Sequence, residues 1–280
     1  RANVGEASSS GFEAQLHYNK GFGDFWLQAR GTFTYAKSEY LVYEEPHYAE
    51  SYRSRIGTSL GQVYGLIAER LFVDEEEVRN SPKQNFGEYM AGDIKYRDLN
   101  GDNQITDADK VPIGYPVTPE VIYGFGFSAG YKAFDCSIFF QGSARSSFWI
   151  DVNKVSPFVV DGGYQNGLLQ AWADDHWSED NKNDYAQWPR LSTQFMGNNN
   201  QVSTWFMRNG SFLRLKNAEI GYTIPKQMLS RLKMSSARIY INSANLFSIS
   251  KFKLWDTEMG GNGLGYPIQR VVNAGIQIGF

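Results

Sequence analysis

The chain has 280 residues, of which 42% are hydrophobic and 15% aromatic, and its formal net charge is -3 at pH 7. Because binding to nucleic acid requires a clustered surplus of basic residues, this balance excludes nucleic acid as an expected partner. No run of about 18 apolar residues occurs, which excludes a helical membrane span but leaves a membrane β-barrel open. Cys136 is the single cysteine, so neither an intrachain disulfide nor a cysteine-rich metal site is expected.

Alternation of apolar and polar residues is the main signal along the chain, and it predicts seven β-strands. Residues 37–120 and 149–204 show no such period, although Gln62 to Phe72 is a further strand candidate within the first of them. The seven predicted strands fall within residues 12–18, 25–35, 121–131, 134–143, 211–224, 237–248 and 268–280.

The connections between these strands alternate in length. Three are short, at residues 19–24, 132–133 and 225–236, and three are long, at residues 37–120, 149–204 and 249–267. Outer-membrane barrels have the same asymmetry, with short periplasmic turns and long extracellular loops. If the short turns face the periplasm, the last strand runs inward and ends there at Phe280.

Alternating strands are also typical of a soluble β-sandwich, and three observations favour a membrane barrel over it. Six of the seven predicted strands run for 10 to 14 residues, which is longer than the usual strand of a soluble sheet and suits a tilted membrane crossing. Aromatic residues such as Tyr123, Tyr131 and Tyr222 lie near strand ends, where a membrane-water boundary favours them. The final strand alternates up to Phe280.

The predicted fold is therefore all-β, an antiparallel transmembrane β-barrel segment of about seven strands, with 37–120 and 149–204 as long extracellular loops. Outer-membrane transporters close about 22 strands around a plugged lumen. We therefore expect residues 1–280 to be the C-terminal part of one barrel domain, with the plug and the N-terminal strands absent from the chain. A sheet of seven strands alone would expose two unpaired edges to lipid, so other segments of the barrel must pair with them.

Five segments carry a resemblance to a known family. They are GDIKYRDLNGD at Gly92–Asp102, IYGFGFSAGYKAFDCSIFFQG at Ile122–Gly142, SFLRLKNAEIGYTIP at Ser211–Pro225, ANLF at Ala244–Phe247 and the tail Tyr266–Phe280. In this order they resemble the SusC/RagA family of TonB-linked outer-membrane proteins.

The resemblance implies import of oligosaccharides or peptides through a plugged barrel of the outer membrane, with a SusD-like lipoprotein closing over its extracellular mouth. It also implies that the plug and the segment that contacts TonB lie N-terminal to the residues present here. Two alternatives stay open. One is a passive porin or ligand-binding barrel without energy coupling, and the other is a soluble β-sandwich that binds carbohydrate.

Residues 98–109, DLNGDNQITDAD, match the spacing of a calcium loop with oxygen ligands at positions 1, 3, 5, 7, 9 and 12. Asn103 stands at position 6, where glycine is expected, and asparagine tolerates the positive φ required there better than most residues. The alternative is a solvated turn closed by its own side chains, without an ion. The expected calcium ligands are Asp98, Asn100, Asp102, Gln104, Thr106 and Asp109, with Ile105 as the apolar anchor.

Tryptophan and asparagine are frequent in residues 149–204. Trp172, Trp177 and Trp188 are candidates for contact with an oligosaccharide or a partner, and the alternative is that these rings pack the loop against itself or against a lid protein. Gly124, Gly126, Ser128 and Gly130 form one nearly bare strand face, which we interpret as space left for a plug or for backbone passing close by.

No enzyme is expected. His17, His47 and His176 are far apart in sequence and show no metal-ligand spacing. His176 follows Asp174 and Asp175, which suggests a base with an orienting carboxylate, but a polar loop is the favoured interpretation.

Overall fold

The computed structural model describes residues 4–158, 160–161, 164–165, 167–229 and 234–280. In chain order, the described strands are β1 (Glu6–Phe22), β2 (Phe25–Val42), β3 (Val63–Gly65), β4 (Ala68–Leu71), β5 (Lys83–Gln84), β6 (Ile94–Tyr96), β7 (Gln104–Ile105), β8 (Val111–Ile113), β9 (Val121–Tyr131), β10 (Phe134–Ala144), β11 (Ser147–Trp149), β12 (Val160–Asp161), β13 (Tyr164–Gln165), β14 (Met207–Asn209), β15 (Phe212–Thr223), β16 (Ser236–Ser250) and β17 (Val271–Gly279). The helices are α1 (Glu75–Asn80), α2 (Val152–Val155), α3 (Gln170–Asp174) and α4 (Lys226–Leu229), with short 3-10 turns at Ser51–Arg53, Asp107–Asp109 and Thr257–Met259. Across the described ranges, no helix is both long and apolar enough to cross a membrane.

Seven of the described strands pair into one antiparallel sheet in the order β1-β2-β9-β10-β15-β16-β17. All seven predicted strands are therefore confirmed. The first turn is shorter than predicted, because β1 and β2 continue until only Gly23 and Asp24 separate them. The candidate strand from Gln62 to Phe72 is two short strands, β3 and β4, which pair with β8 and β6 instead of with the large sheet.

One face of this sheet is apolar along its whole width, and we call it the apolar face. A single cross-strand row on it consists of Phe25, Tyr131, Phe134, Tyr222, Ile239 and Ile276. Phe125, Phe127 and Ile278 on the same face are 45%, 44% and 46% exposed, so no second protein layer covers them. A soluble sandwich would bury these side chains against a facing sheet.

The opposite face, which we call the polar face, carries amides, hydroxyls, charges and glycines. One of its cross-strand rows is Gln28, Ser128, Ser137, Glu219, Asn242 and Asn273. A β-bulge in β15 keeps the two faces separate. Opposite Phe139 and Phe140 the pairing skips Lys216, so that Arg214 and Asn217 both lie on the polar face although they are three positions apart.

The long connections form a compact lobe with its own hydrophobic core. The lobe lies at the end of the sheet opposite the two-residue turns, because these connections start from the other ends of β2, β10 and β16. Leu66 donates its backbone N–H to Val202 and accepts from the backbone of Thr204, which joins the first two connections. The buried core of the lobe includes Leu66, Leu71, Ile94, Tyr96, Ile105, Ile150, Val155, Trp172, Trp177, Trp188, Phe206 and Phe252.

Candidate functional site

The polar face carries a cluster of three charges that joins three strands. Arg238 on β16 hydrogen-bonds to Asp135 on β10 and to Glu219 on β15, with 2.7 Å between Nη2 of Arg238 and Oε1 of Glu219. The cluster has room because the guanidinium lies over Gly221, the diagonal neighbour of Arg238 on β15, where a β-carbon would overlap it. The three side chains are only partly exposed, and they fasten these strands on the polar side.

A second feature of the polar face is a cavity of about 560 Å³ over β1, β2, β9 and β10. Arg30 lines it with its guanidinium carbon 4.2 Å from the centre of the Phe139 ring. The bare strand face predicted at this position is present, but neighbouring rings occupy much of the space. A β-carbon on Gly126 would contact Phe139, and one on Gly130 would overlap the indole of Trp26.

Arg214 ties the third long connection to the polar face. Its side chain is 3% exposed, and its guanidinium lies 2.7 Å from Oδ1 of Asp256 and 2.7 Å from Oε2 of Glu258. Asp256 also caps the 3-10 turn Thr257–Met259 by accepting from the N–H of Glu258. The connection therefore folds back over the sheet end, and the edge-to-face contact of Phe252 with Phe148 joins it to the lobe core.

A buried ion pair connects the first two long connections within the lobe. Asp93 is fully buried, and its Oδ1 lies 2.9 Å from Nε of Arg190 and 2.8 Å from the side-chain amide of Asn199, which donates to it. Burial raises the pKa of the Asp93 carboxyl, although the charge of Arg190 and the Asn199 hydrogen bond act against this shift.

Glycine at position 92 allows the ring of Trp177 to pack against the backbone next to this pair. Gly92 has φ of 82°, and a β-carbon on it would overlap the ring of Trp177. Arg190 also donates its backbone N–H to the carbonyl of Gly92 at 3.0 Å. The segment that begins with Gly92 and Asp93 thus contacts the second connection through backbone, ring and charge together.

A buried amide network extends the same junction. Gln84 donates to the carbonyl of Ile94 and to the side chain of Asn198, and it accepts from the backbone N–H of Tyr96. The hydroxyl of Tyr96 donates to the backbone carbonyl of Asn198 at 2.8 Å. These side-chain groups of Gln84 and Tyr96 are all hydrogen-bonded, so the network adds directional contacts between the two connections.

Glu77 on α1 is the centre of an ion cluster at the surface of the lobe. Partial burial acts to raise the pKa of Glu77, but hydrogen bonds from Arg70, Lys95 and the backbone N–H of Val73 outweigh it and lower the pKa to about 2. Lys95 donates to Oε1 of Glu77 at 2.8 Å. The cluster thereby fixes α1 against strands β4 and β6.

The predicted calcium loop is folded at the lobe surface. Asn103 has φ of 64°, as position 6 requires, and Ile105 is fully buried. Asp98 accepts from the backbone N–H groups of Gly101 and Asn103, and Asp102 accepts from that of Gln104. These bonds close the turn.

The final ligand of the predicted loop, Asp109, is buried and accepts from the backbone N–H groups of Leu99 and Thr106. Thr106 and Asp109 form a capping box around the 3-10 turn. Within the part of the chain that the structure describes, no group of three acidic, histidine or cysteine side chains is arranged to hold a metal ion. Calcium binding stays a prediction, beside the alternative of a turn closed by its own hydrogen bonds.

The three tryptophans predicted as a substrate or partner contact lie inside the lobe. Trp172, Trp177 and Trp188 are 0%, 5% and 5% exposed. The ring centres of Trp172 and Trp188 are 4.5 Å apart, and the ring centre of Trp188 is 5.2 Å from that of Phe206. In this arrangement the rings pack the loops against each other, and their faces are covered by protein.

The side chain of His176 hydrogen-bonds to nearby backbone carbonyl groups. Its Nδ1 lies 2.8 Å from the carbonyl oxygen of Trp172 and 3.1 Å from that of Ala173, at the end of α3. His17 is on the polar face, where Nε2 lies 2.6 Å from the side-chain amide of Gln15. The structure thus gives these two histidines local hydrogen bonds to a helix end and to a neighbouring amide.

No protein-family model matches the chain. A TonB-dependent receptor of Formosa agariphila is 27% identical over 256 residues, which cover 86% of this chain and 24% of that protein. The TonB-dependent receptor SusC of Bacteroides thetaiotaomicron is 26% identical over 192 residues, which cover 65% of this chain and 17% of that protein. The chain thus spans a quarter or less of the length of these two relatives.

Solved structures give the architecture of the sheet. The structure of the RagAB peptide transporter matches 99% of this chain and 30% of its own chain, with a TM-score of 0.71 and 22% identity. A second structure, of the RagAB peptide importer in an open-open state, gives the same TM-score at 21% identity. The predicted fold class is thereby confirmed. The sheet is part of an antiparallel transmembrane β-barrel, with the apolar face outward and the polar face toward the lumen.

Proposed function

Because the chain is a barrel segment of the SusC/RagA type of TonB-dependent receptor, we propose that the protein carrying it imports oligosaccharides or peptides across the outer membrane with energy from TonB. The observation that carries this proposal is the extent of the similarity, since 86% of the chain aligns with a TonB-dependent receptor, loops as well as strands. The outward apolar face and the polar lumenal face suit a wall between lipid and an aqueous path.

We propose that a SusD-like surface lipoprotein docks on the lobe. The lobe gathers the long connections at one end of the sheet and holds them with a shared core, which gives a partner a fixed surface. Preorganised loops lower the entropic cost of docking. The plug and the segment that contacts TonB belong to parts of the protein outside the 280 residues, and the relatives, all receptors or transporters, give no reason to propose catalysis.

A second candidate function is a passive porin or ligand-binding barrel without energy coupling. Uptake of labelled oligosaccharide and peptide pools by cells with and without TonB separates the two. The import proposal expects uptake that stops when TonB is deleted. Uptake that persists without TonB, together with a steady open current from the purified protein in a planar bilayer, would favour the porin.

We propose in addition that calcium staples the loop formed by residues 98–109. Three features support this: the ligand spacing of the sequence, the positive φ at Asn103 and the buried anchor Ile105. The ion would have a structural role and would stiffen the outer surface of the lobe.

A further inference from the structure

Besides the rings of Trp26 and Phe139, the lumenal face carries two apolar side chains at the end near the lobe. Ile122 on β9 and Phe212 on β15 occupy the same cross-strand row, with the small side chain of Ser143 on β10 between them. Ile122 is 49% exposed although it is on the aqueous side of the wall. With Phe212 it forms a contiguous apolar patch on the aqueous side, and such patches mark binding surfaces.

The connections close over this row and form a cleft of about 390 Å³. Its walls are mainly apolar, and polar side chains that include Gln141, Ser146 and Thr257 also line it. We call it the Ile122 cleft and define it by the residues Val117, Ile122, Ser143, Phe148, Phe212 and Glu258.

Charge at the edge of the cleft is negative. Glu258 lines it and shares the guanidinium of Arg214 with Asp256, so that two carboxylates meet one cation. An apolar recess beside an excess carboxylate is complementary to a group that is both apolar and positively charged.

We propose that the Ile122 cleft binds the amino-terminal residue of an oligopeptide, with an apolar side chain in the recess and the α-ammonium group near Glu258. This inference rests on the proposed import function and narrows its substrate class. A sugar ring is held by exposed aromatic faces and many hydrogen-bonding partners. The tryptophans of the lobe are buried, and apolar surface predominates in the cleft, although Gln141 and Thr257 also line it.

The test uses the complete outer-membrane protein, purified in detergent, and isothermal titration with three tetrapeptides that differ only at the first residue. The first begins with leucine and has a free amino group, the second is the same peptide acetylated, and the third begins with glycine. We expect the acetylated and the glycine-led peptides to bind more weakly than the first, by about threefold for the lost charge and about tenfold for the lost side chain.

Two variants connect these losses to the cleft. Ile122→Ser should lower the affinity for the leucine-led peptide by about tenfold and leave the affinity for the glycine-led peptide unchanged. Glu258→Gln should remove the difference in affinity between the free and the acetylated leucine-led peptides. Val73→Ser, at an exposed apolar residue of the lobe outside the cleft, is the matched control and should bind all three peptides like the unmodified protein.

Equal binding of the three peptides, or equal effects of Ile122→Ser and Val73→Ser, would overturn the assignment of the cleft. The import proposal is judged separately by TonB-dependent uptake. Uptake of oligosaccharides with no binding of the peptides would refute the cleft assignment alone, whereas peptide binding without TonB-dependent uptake would refute import and leave the cleft standing.

Discussion

The guanidinium of Arg238 lies where the side chain of residue 221 would start, and Gly221 is the residue that leaves this space open. Because the same guanidinium binds Asp135 and Glu219, the glycine is a condition for a charge cluster that spans three strands. The cluster is on the lumenal face, where water reaches it only partly.

Gly221→Ala should therefore displace Arg238 and destabilise the barrel by about 1–2 kcal/mol. Arg238→Gln should cost a similar amount, and the double variant little more than either, because both changes remove the same ion pairs. Unfolding in urea, followed by the mobility of folded and unfolded protein in gels, measures this. Gly31→Ala is the control, since a β-carbon there would meet no atom within 4 Å. Additive losses would contradict the shared mechanism.

Two neighbouring residues of β9 should differ in how much stability is lost when each is replaced by a charged residue. Phe127 is on the outward apolar face and Ser128 is on the lumenal face. Phe127→Lys should destabilise the barrel by about 2–4 kcal/mol near the bilayer centre, because a charge there must leave water. Ser128→Lys should have a small effect, and folding yield into lipid vesicles compares the two. Equal tolerance of both variants would argue against lipid on the apolar face.

Breaking the buried pair between Asp93 and Arg190 should loosen the lobe. Asp93→Ala leaves a guanidinium without its partner in a low-dielectric site, and we expect a loss of about 3–5 kcal/mol. Hydrogen exchange at the backbone N–H of Arg190 should accelerate, while exchange in β9 and β10 stays slow. Glu179→Ala, which breaks an exposed pair with Lys182, is the control and should change stability by less than about 0.5 kcal/mol.

Glu77 should make the lobe sensitive to acid. Its pKa is about 2 in the folded protein against an ordinary value of 4.5, so its contribution to stability is complete above about pH 4.5 and is lost as the pH falls toward 2. Glu77→Gln should flatten this part of the stability profile, measured by protease resistance of the lobe between pH 2 and pH 6. Glu76→Gln, at an exposed position of the same helix, should leave the profile unchanged.

Calcium binding is tested by calorimetry on the complete protein after treatment with a chelator. We expect one site of the loop type, lost in Asp102→Ala and tightened in Asn103→Gly, because glycine adopts the positive φ of position 6 without strain. Asp107→Ala is the control, since Asp107 is largely exposed, pairs with Lys110 and is outside the ligand positions. Absence of a calcium signal that Asp102→Ala removes would leave the turn as a loop closed by its own hydrogen bonds.

Sequence periodicity is sufficient to predict the large sheet, because each of its strands has one face toward lipid and the other toward the lumen. Ala218, Ile220 and Tyr222 alternate on even positions, whereas Leu213 and Leu215 alternate on odd ones. This change of parity is the signal for the bulge near Lys216, and the sequence interpretation did not use it. Ile122 on an otherwise bare face was a comparable signal for the cleft.

The lobe was not predictable in the same way. Its core brings together residues such as Leu66, Trp172 and Phe206, which belong to separate connections and have no common period. Exposed tryptophans and core tryptophans look alike in a sequence rich in asparagine and aspartate. The tie between Arg214 and Asp256 joins residues 42 positions apart and likewise leaves no local pattern.

Since residues from the separate connections interlock in a single core, a graft that exchanges only one of them should leave voids and unmatched side chains. Chimeras between relatives should then fold only when the whole lobe is transplanted together with its anchor on β15. During evolution, a change of substrate in such proteins would require correlated substitutions across the connections, because a core substitution in one connection must be matched by its neighbours in the others.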